Sequence, residues 1–361
     1  MASSTGTNTR LRAHTHKGAK TGSISVFSKD GTTKAGPIDP LDFYSSYARA
    51  IDLRWTLKGR PPVGISIGQH PRHMNPSNMF TISFLFAVLI LHILPSSEGA
   101  AITCKIDDEE QWSYNGRTNG PSAWGERYPT CFGKQQSPIA INTKDVVIDL
   151  FAQKLQMKNY DIPVAKATII NNGHSAQVTP KDNVARTIEV DGSTYTFQQL
   201  HFHWGSRYDQ GSEHTLDDVR YALEAHFVHT NKDNNIAVVG VFFQSDTHDN
   251  EAFQAISNVL PQIPFKDNSV DLQSDLILND LLPSNPAGYY HYDGSLTTPA
   301  CSEGVKWFVL KGIKQIGEKQ LNELRNLYST TKDKDYAGCQ ITNNYRPLQP
   351  LNGRVVIESA N

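Results

Sequence analysis

The sequence predicts a mainly β fold with peripheral helices, built as a single large domain over residues 102–361. Three observations carry that expectation. From Cys104 onward the chain reads as short extended runs separated by turn residues. One of these runs, 236–243 (IAVVGVFF), is apolar, β-branched and aromatic throughout, the pattern of a strand buried on both faces. Helical periodicity is scarce. The two best segments, 250–259 and 317–330, lie between strands, which places them as surface helices on a large sheet.

Taken in order, residues 1–78 are rich in Ser, Thr, Gly, Lys and Arg and lack apolar periodicity. They are expected to be a disordered extension or an artefact of the assigned start. Residues 79–101 read as a secretory signal peptide. The stretch 80–94, FTISFLFAVLILHIL, is apolar apart from one Ser, one Thr and His92. It is shorter than the ~20 residues of a spanning helix. It fits a signal h-region, and the small residues of 96–101 offer a cleavage point. Three alternatives stay open: an uncleaved signal anchor, an organelle-targeting peptide and a buried core helix. No Lys or Arg lies between Met74 and Phe80, where a signal peptide is usually positive.

Within 102–361, further strand patterns cover 194–204, 221–229, 307–310 and 354–357. No internal repeat or low-complexity tract interrupts them, which favours one domain. A formal net charge of -2 gives no general attraction to nucleic acid. The four cysteines, Cys104, Cys131, Cys301 and Cys339, contain no C-x-x-C pair. That argues against a zinc ribbon or a thioredoxin-like site and fits disulfides if the compartment is oxidising. The terminal VVIESAN is too short and polar for a lipid-anchor signal, and no N-glycosylation sequon occurs.

Two histidine clusters carry the chemistry. In Gln199-Leu200-His201-Phe202-His203, a strand projects His201 and His203 to the same side. In Glu224-Ala225-His226-Phe227-Val228-His229, a strand puts Glu224, His226 and Val228 on one face and His229 on the other. A helix would instead pair His226 with His229, but the aromatic and β-branched neighbours favour the strand. His229 then reads as a core histidine. Three histidines from two strands leave a fourth tetrahedral position open, as catalytic zinc sites do.

The chain resembles the alpha carbonic anhydrases from Trp112 to Ile357. The matching stretches, in family order, are WSYNGRTNGP, QSPIAI, NNGH, LHFHWGS, GSEHTLD, EAHFVH, GSLTTP and YRPLQPLNGR. The resemblance implies a central, mostly antiparallel twisted β-sheet carrying the zinc site. It also implies reversible hydration of carbon dioxide to bicarbonate by hydroxide generated on Zn2+. His201, His203 and His226 match the zinc ligands. Gln199, Glu224 and the backbone carbonyl of Asn344 match the groups that hold those histidines. Thr297 matches the hydroxyl that orients the nucleophile, and Glu213 the carboxylate that receives its proton. Without the resemblance, Glu213 would read as a solvated carboxylate and Thr297 as a turn residue. Val228, Val238, Leu296, Val305 and Trp307, with Thr298, match the substrate pocket, although each alone reads equally as core or turn. Tyr114, Asn171 and Gln177 match polar positions that order water, and His174 matches the proton shuttle. Cys131 and Cys301 match the disulfide of secreted and membrane-bound relatives. Whether Cys104 and Cys339 pair is left open.

Two rival classes remain. A catalytically dead binding module would lack a zinc histidine, and all three are present. A biomineral matrix protein would append acidic or Gly/Asn repeats, and the sequence has none. The partners expected are carbon dioxide and bicarbonate, with no nucleic acid and no obligate protein. Secretion is expected. The alternative is a membrane-anchored protein with an extracellular catalytic domain, in which case 80–94 would contact the membrane.

Overall fold

Apolar runs set the centre of the sheet and alternating runs its flanks. A computed structural model describes Cys104 and residues 111–116, 118–284, 286 and 288–360. The expectations for 1–78 and for a signal or anchor at 79–101 lie outside the described residues. Described residues all fall within one unit, Ser96–Asn361. Its strands are β1 (Ala140–Ile141), β2 (Val147–Asp149), β3 (Met157–Lys158), β4 (Ala167–Asn171), β5 (Ala176–Pro180) and β6 (Thr187–Val190). There follow β7 (Ser193–Trp204), β8 (Thr215–Leu216), β9 (Leu223–Thr230), β10 (Ile236–Asp246) and β11 (Ser269–Asp271). The last are β12 (Tyr289–Ser295), β13 (Glu303–Leu310), β14 (Lys314–Gly317) and β15 (Ile357–Ser359).

Thirteen of these form one sheet along the path β11-β4-β5-β7-β9-β10-β13-β12-β15-β2, with β14 beside β10 and β3–β6 beside β7. The sheet is mixed. From β11 to β10 neighbours pair antiparallel, whereas β10–β13, β10–β14 and β15–β2 are parallel. Parallel steps need a crossover. The chain supplies one after β10, leaving the sheet through short helices and re-entering beyond it. β10 is buried along Ala237–Phe243 because core lies on both of its faces.

The helices are α1 (Trp124–Arg127), which the sequence pattern does not predict, and α2 (Gln254–Ser257) and α3 (Glu318–Arg325), both shorter than their patterns predict. In 250–259 the first turn is 3-10, over Glu251–Phe253, with Asn250 capping Ala252 N. In 317–330 the helix stops at Arg325, because Tyr328 N turns away to donate to Pro264 O at 2.7 Å. The 354–357 run is a strand only from Ile357; Arg354 instead donates to the carbonyls of Leu351, Asp293, Gln136 and Pro350.

His229 is the core histidine expected, fully buried. Its Nδ1 donates to Ala237 O at 3.2 Å, so Nε2 accepts from the Tyr160 hydroxyl. Burial pushes its pKa from 6.5 down to about 4. Between those values the unfolded chain binds a proton that the fold refuses. Stability is therefore lost as pH falls from 6.5 towards 4, and this contribution levels off below. The gap is worth about 3 kcal/mol. A His229→Gln variant is expected to lose less stability between pH 6.5 and 4.5 in denaturant titrations. Equal losses in both proteins would contradict the assignment.

Candidate metal centre

Antiparallel register across β7 and β9 sets His201 directly opposite His226 and His203 opposite Glu224. The ladder slips once, between Phe197 and Gln199, leaving Gln198 as an extra, exposed residue. This bulge has a consequence for facing. Strict alternation would put Phe197 on the side of Gln199, His201 and His203. The inserted residue keeps Phe197 with Leu200, Phe202 and Trp204 in the core, and turns the odd-numbered polar residues to the site.

The three imidazoles converge, with ring centroids 5.1 Å (His201–His203), 5.2 Å (His201–His226) and 4.5 Å (His203–His226) apart. Each offers a nitrogen within 4.8 Å of the others. In every ring the second nitrogen is already held. His201 Nδ1 donates to Gln199 Oε1 at 2.9 Å, His203 Nδ1 to Asn344 O at 2.7 Å, and His226 Nε2 to Glu224 Oε1 at 2.8 Å. Those acceptors force the tautomer, leaving His201 Nε2, His203 Nε2 and His226 Nδ1 with lone pairs facing one another. His203 Nε2 is buried without a hydrogen-bond partner. Burial lowers the pKa of all three rings, that of His203 to about 4. Neutral, pre-aimed imidazoles with one orphaned nitrogen fit a zinc ion.

Glu224 is held from four directions. Oε1 accepts from His226 and from His214 Nδ1 at 2.7 Å, and Oε2 accepts from the backbone N–H groups of Glu213 and His214, each at 2.8 Å. Burial alone would raise its pKa, but the neighbouring histidines His214 and His226 outweigh that and hold it well below the usual range. His214, unnoticed in the sequence although it sits inside the GSEHTLD stretch, extends the chain of bonds. Its Nδ1 donates to Glu224, so its Nε2 at 2.6 Å must accept from the Tyr292 hydroxyl, which then accepts from Ser137 at 2.8 Å. His214, Glu224 and His226 also cluster closely enough to be considered as a metal site. Their direct hydrogen bonds identify a support for His226 instead.

Glu213 is fully buried beside the three histidines. Oε1 accepts from Arg346 N at 2.8 Å, and Oε2 lies 3.4 Å from His203 Nε2 and 4.0 Å from His226 Nδ1. Burial raises its pKa to about 7, against the pull of His226, Arg346 N–H and the Thr297 hydroxyl. Thr297 is itself 5% exposed. Next to it, Thr298 O accepts from Cys301 N at 2.7 Å, and Cys301 is bonded to Cys131. A second disulfide joins Cys104 to Cys339, which answers the pairing left open by the sequence.

Val228, Val238 and Trp307 stand side by side across β9, β10 and β13, and with Leu296 and Val305 they belong to one apolar cluster. Trp307 packs its ring 4.8 Å from His226, so this wall adjoins the imidazoles. Gln177 lies opposite His201 in the β5–β7 ladder. Tyr114 packs edge-on against Trp112 and Trp124, is half-buried, and borders a small cavity beside His174. Asn171 does not face the cleft. It is fully buried, its amide donating to the carbonyls of Ile263, Pro264 and Tyr328 and its Oδ1 accepting from Gly173 N, so it fastens the loop that carries His174. The His174 ring stacks on Trp112, centroids 3.7 Å apart. Burial first, and Lys266 second, lower its pKa to about 4.

Comparison with known proteins adds two kinds of match. The family model for eukaryotic-type carbonic anhydrase matches residues 119–360. The chain is 36% identical over 267 residues to carbonic anhydrase 6 of Mus musculus, covering 70% of this chain and 82% of that one. It is 37% identical over 261 residues to carbonic anhydrase 7 of Homo sapiens, covering 68% and 96%, and 36% identical over 261 residues to carbonic anhydrase 3 of Homo sapiens, covering 68% and 97%.

Proposed function

The chain belongs to the eukaryotic-type carbonic anhydrases, enzymes that hydrate carbon dioxide, and from that premise we propose that it does so with a zinc ion held by His201, His203 and His226. The observation that carries this reading is the convergence of three imidazole nitrogens whose partner nitrogens are all bonded elsewhere. Zinc in that position supplies a water acidic enough to ionise near pH 7.

The remaining roles fall to the protein. Thr297 is assigned as the donor to the Glu213 carboxylate, whose Oε2 is buried and has no other hydrogen-bond partner among the described residues. A threonine committed as donor on one side can only accept on the other, so it aims a lone pair of the nucleophile at the substrate carbon. Carbon dioxide, small and uncharged, rests against Val228, Val238 and Leu296, with Val305 and Trp307 behind and Thr298 at the edge. His174 carries the released proton to solvent. Stacked under Trp112 it resists protonation. Swung towards water, its pKa returns to the ordinary imidazole range near neutrality.

Two disulfides fit an oxidising compartment. We place the enzyme outside the cell or on its surface, reached through residues 79–101 as a signal or an anchor. Dialysis of the purified chain against dipicolinate is expected to abolish carbon dioxide hydration in stopped flow, and one equivalent of zinc to restore it. Hydration persisting in protein shown to be zinc-free would overturn the proposal.

A further inference from the structure

We propose that Arg346 is a positioning residue for the hydration step, fixing the Thr297 loop and Glu213 relative to each other through its side chain and its own backbone. The proposal rests on the reading of Thr297 as the hydroxyl that aims the nucleophile. Arg346 is 2% exposed, and the acceptors on its guanidinium are neutral. Nη1 donates to Gln136 Oε1 at 2.8 Å and Ser137 O at 2.9 Å, and Nη2 to Cys131 O at 3.0 Å. Nε is buried with no hydrogen-bond partner among the described residues. Such a place is costly for a cation, and an apolar side chain of similar volume would serve packing as well or better. What the guanidinium adds is a rigid planar fork that holds several oxygens at once.

The fork grips a segment, 131–137, that holds both ends of the loop carrying Thr297. At one end Ser137 N donates to Ser295 Oγ at 2.9 Å, and Ser295 N to Ser137 Oγ at 3.1 Å. At the other, Cys131 is bonded to Cys301, and Gln136 Nε2 donates to Cys301 O at 3.2 Å. Trp124, clustered with this disulfide, has its ring centroid 5.6 Å from the guanidinium carbon. Arg346 N meanwhile donates to Glu213 Oε1 at 2.8 Å, which leaves Oε2 for Thr297. One residue thus holds both sides of the Thr297–Glu213 contact, the loop by its side chain and the carboxylate by its main chain. Charge couples them as well. Burial lowers the pKa of Arg346 to about 10, and the Glu213 carboxylate is the foremost charge opposing that fall. The imidazoles are held by other groups, Gln199, Asn344 O and Glu224. Loss of the fork therefore lets Thr297 shift against Glu213 and leaves the zinc ligands in place.

The test is Arg346→Met in the full, zinc-loaded chain, with carbon dioxide hydration followed by stopped flow. This variant keeps the N–H bonded to Glu213 and removes the fork. Its kcat/KM is expected to fall about 100-fold, the cost of a misplacement of ~1 Å at a reacting centre, with zinc content retained. Zinc lost in step with activity would overturn the proposal, and so would an unchanged kcat/KM. Thr297→Val separates this outcome from the reading beneath it. If that variant is as fast as the parent, the role of Thr297 falls, and this proposal with it. If it is slow, adding Arg346→Met should cost little more, because both changes act through one hydroxyl. A further loss of the same size would place the effect of Arg346 elsewhere and overturn the proposal. Arg186→Met controls for the loss of a buried charge as such, since Arg186 is 1% exposed and paired with Asp182. It should melt lower with kcat/KM unchanged, and an equal fall in kcat/KM there would overturn the proposal. Arg346→Lys keeps the charge without the fork and should be nearly as slow as Arg346→Met; parent-like activity would make charge the cause and overturn it. If Arg346→Met fails to fold, Gln136→Met decides with the arginine intact: a lower kcat/KM at full zinc content supports the positioning role, and an unchanged one overturns it.

Discussion

Replacing His201 by Ala is expected to remove zinc and carbon dioxide hydration together while the fold remains. His201 is the one partly exposed member of the three histidines, so its truncation opens a hollow on the cleft and not a sealed cavity in the core. Its backbone stays paired in the β7–β9 ladder opposite His226. Removing Gln199, which only orients the His201 ring, should weaken zinc by about 10–100-fold. Removing the ligand itself should cost considerably more, because two imidazoles cannot close a stable zinc site. Elemental analysis and thermal unfolding check this jointly. The variant should carry little zinc and melt where the zinc-stripped parent melts, since metal binding adds to stability only where the site exists. Full zinc occupancy in the variant would remove His201 from the ligand set.

The chemistry of the site is more legible in the sequence than its supports are. Alternation alone puts His201 with His203, and His226 with Glu224, because side chains one pleat apart share a face. The structure keeps both pairs. Alternation cannot show the bulge at Gln198, since one inserted residue leaves no compositional mark, yet it decides that Phe197 stays in the core. His214 is hidden for a different reason. Its role depends on Tyr292 and Ser137, 78 and 155 residues from the relevant partners in the chain. Such long-range bonds have no local pattern. Asn171 shows the opposite error: a polar residue in a loop motif suggests a wet wall, but three backbone carbonyls converge on its amide and bury it. Helix lengths fail similarly, because Tyr328 is drawn to Pro264 by tertiary contact that periodicity does not register.

Converting Cys131 and Cys301 together to Ser is expected to lower stability by at least about 5 kcal/mol and the melting temperature by at least about 10 °C. The bridge spans a sequence separation of 170, for which loop-closure entropy alone amounts to about 5 kcal/mol. The native side adds to this. Both cysteines are buried, at 5% and 0% exposure, in a cluster with Trp124. Arg346 Nη2 donates to Cys131 O at 3.0 Å and Gln136 Nε2 to Cys301 O at 3.2 Å, so the bridge sits within a bonded frame. Two serine hydroxyls placed there without partners cost about 1–3 kcal/mol each. Because Cys301 N donates to Thr298 O, the loop bearing Thr297 should loosen, and activity should fall more than zinc content does. The same bond reports the compartment. Native protein alkylated under denaturing conditions should show no free thiol at Cys131 or Cys301 if the chain enters the secretory route. Free thiols at both positions would defeat that route. A blocked pair accompanied by a surviving 80–94 peptide would identify the anchored form, and a blocked pair without it the secreted one.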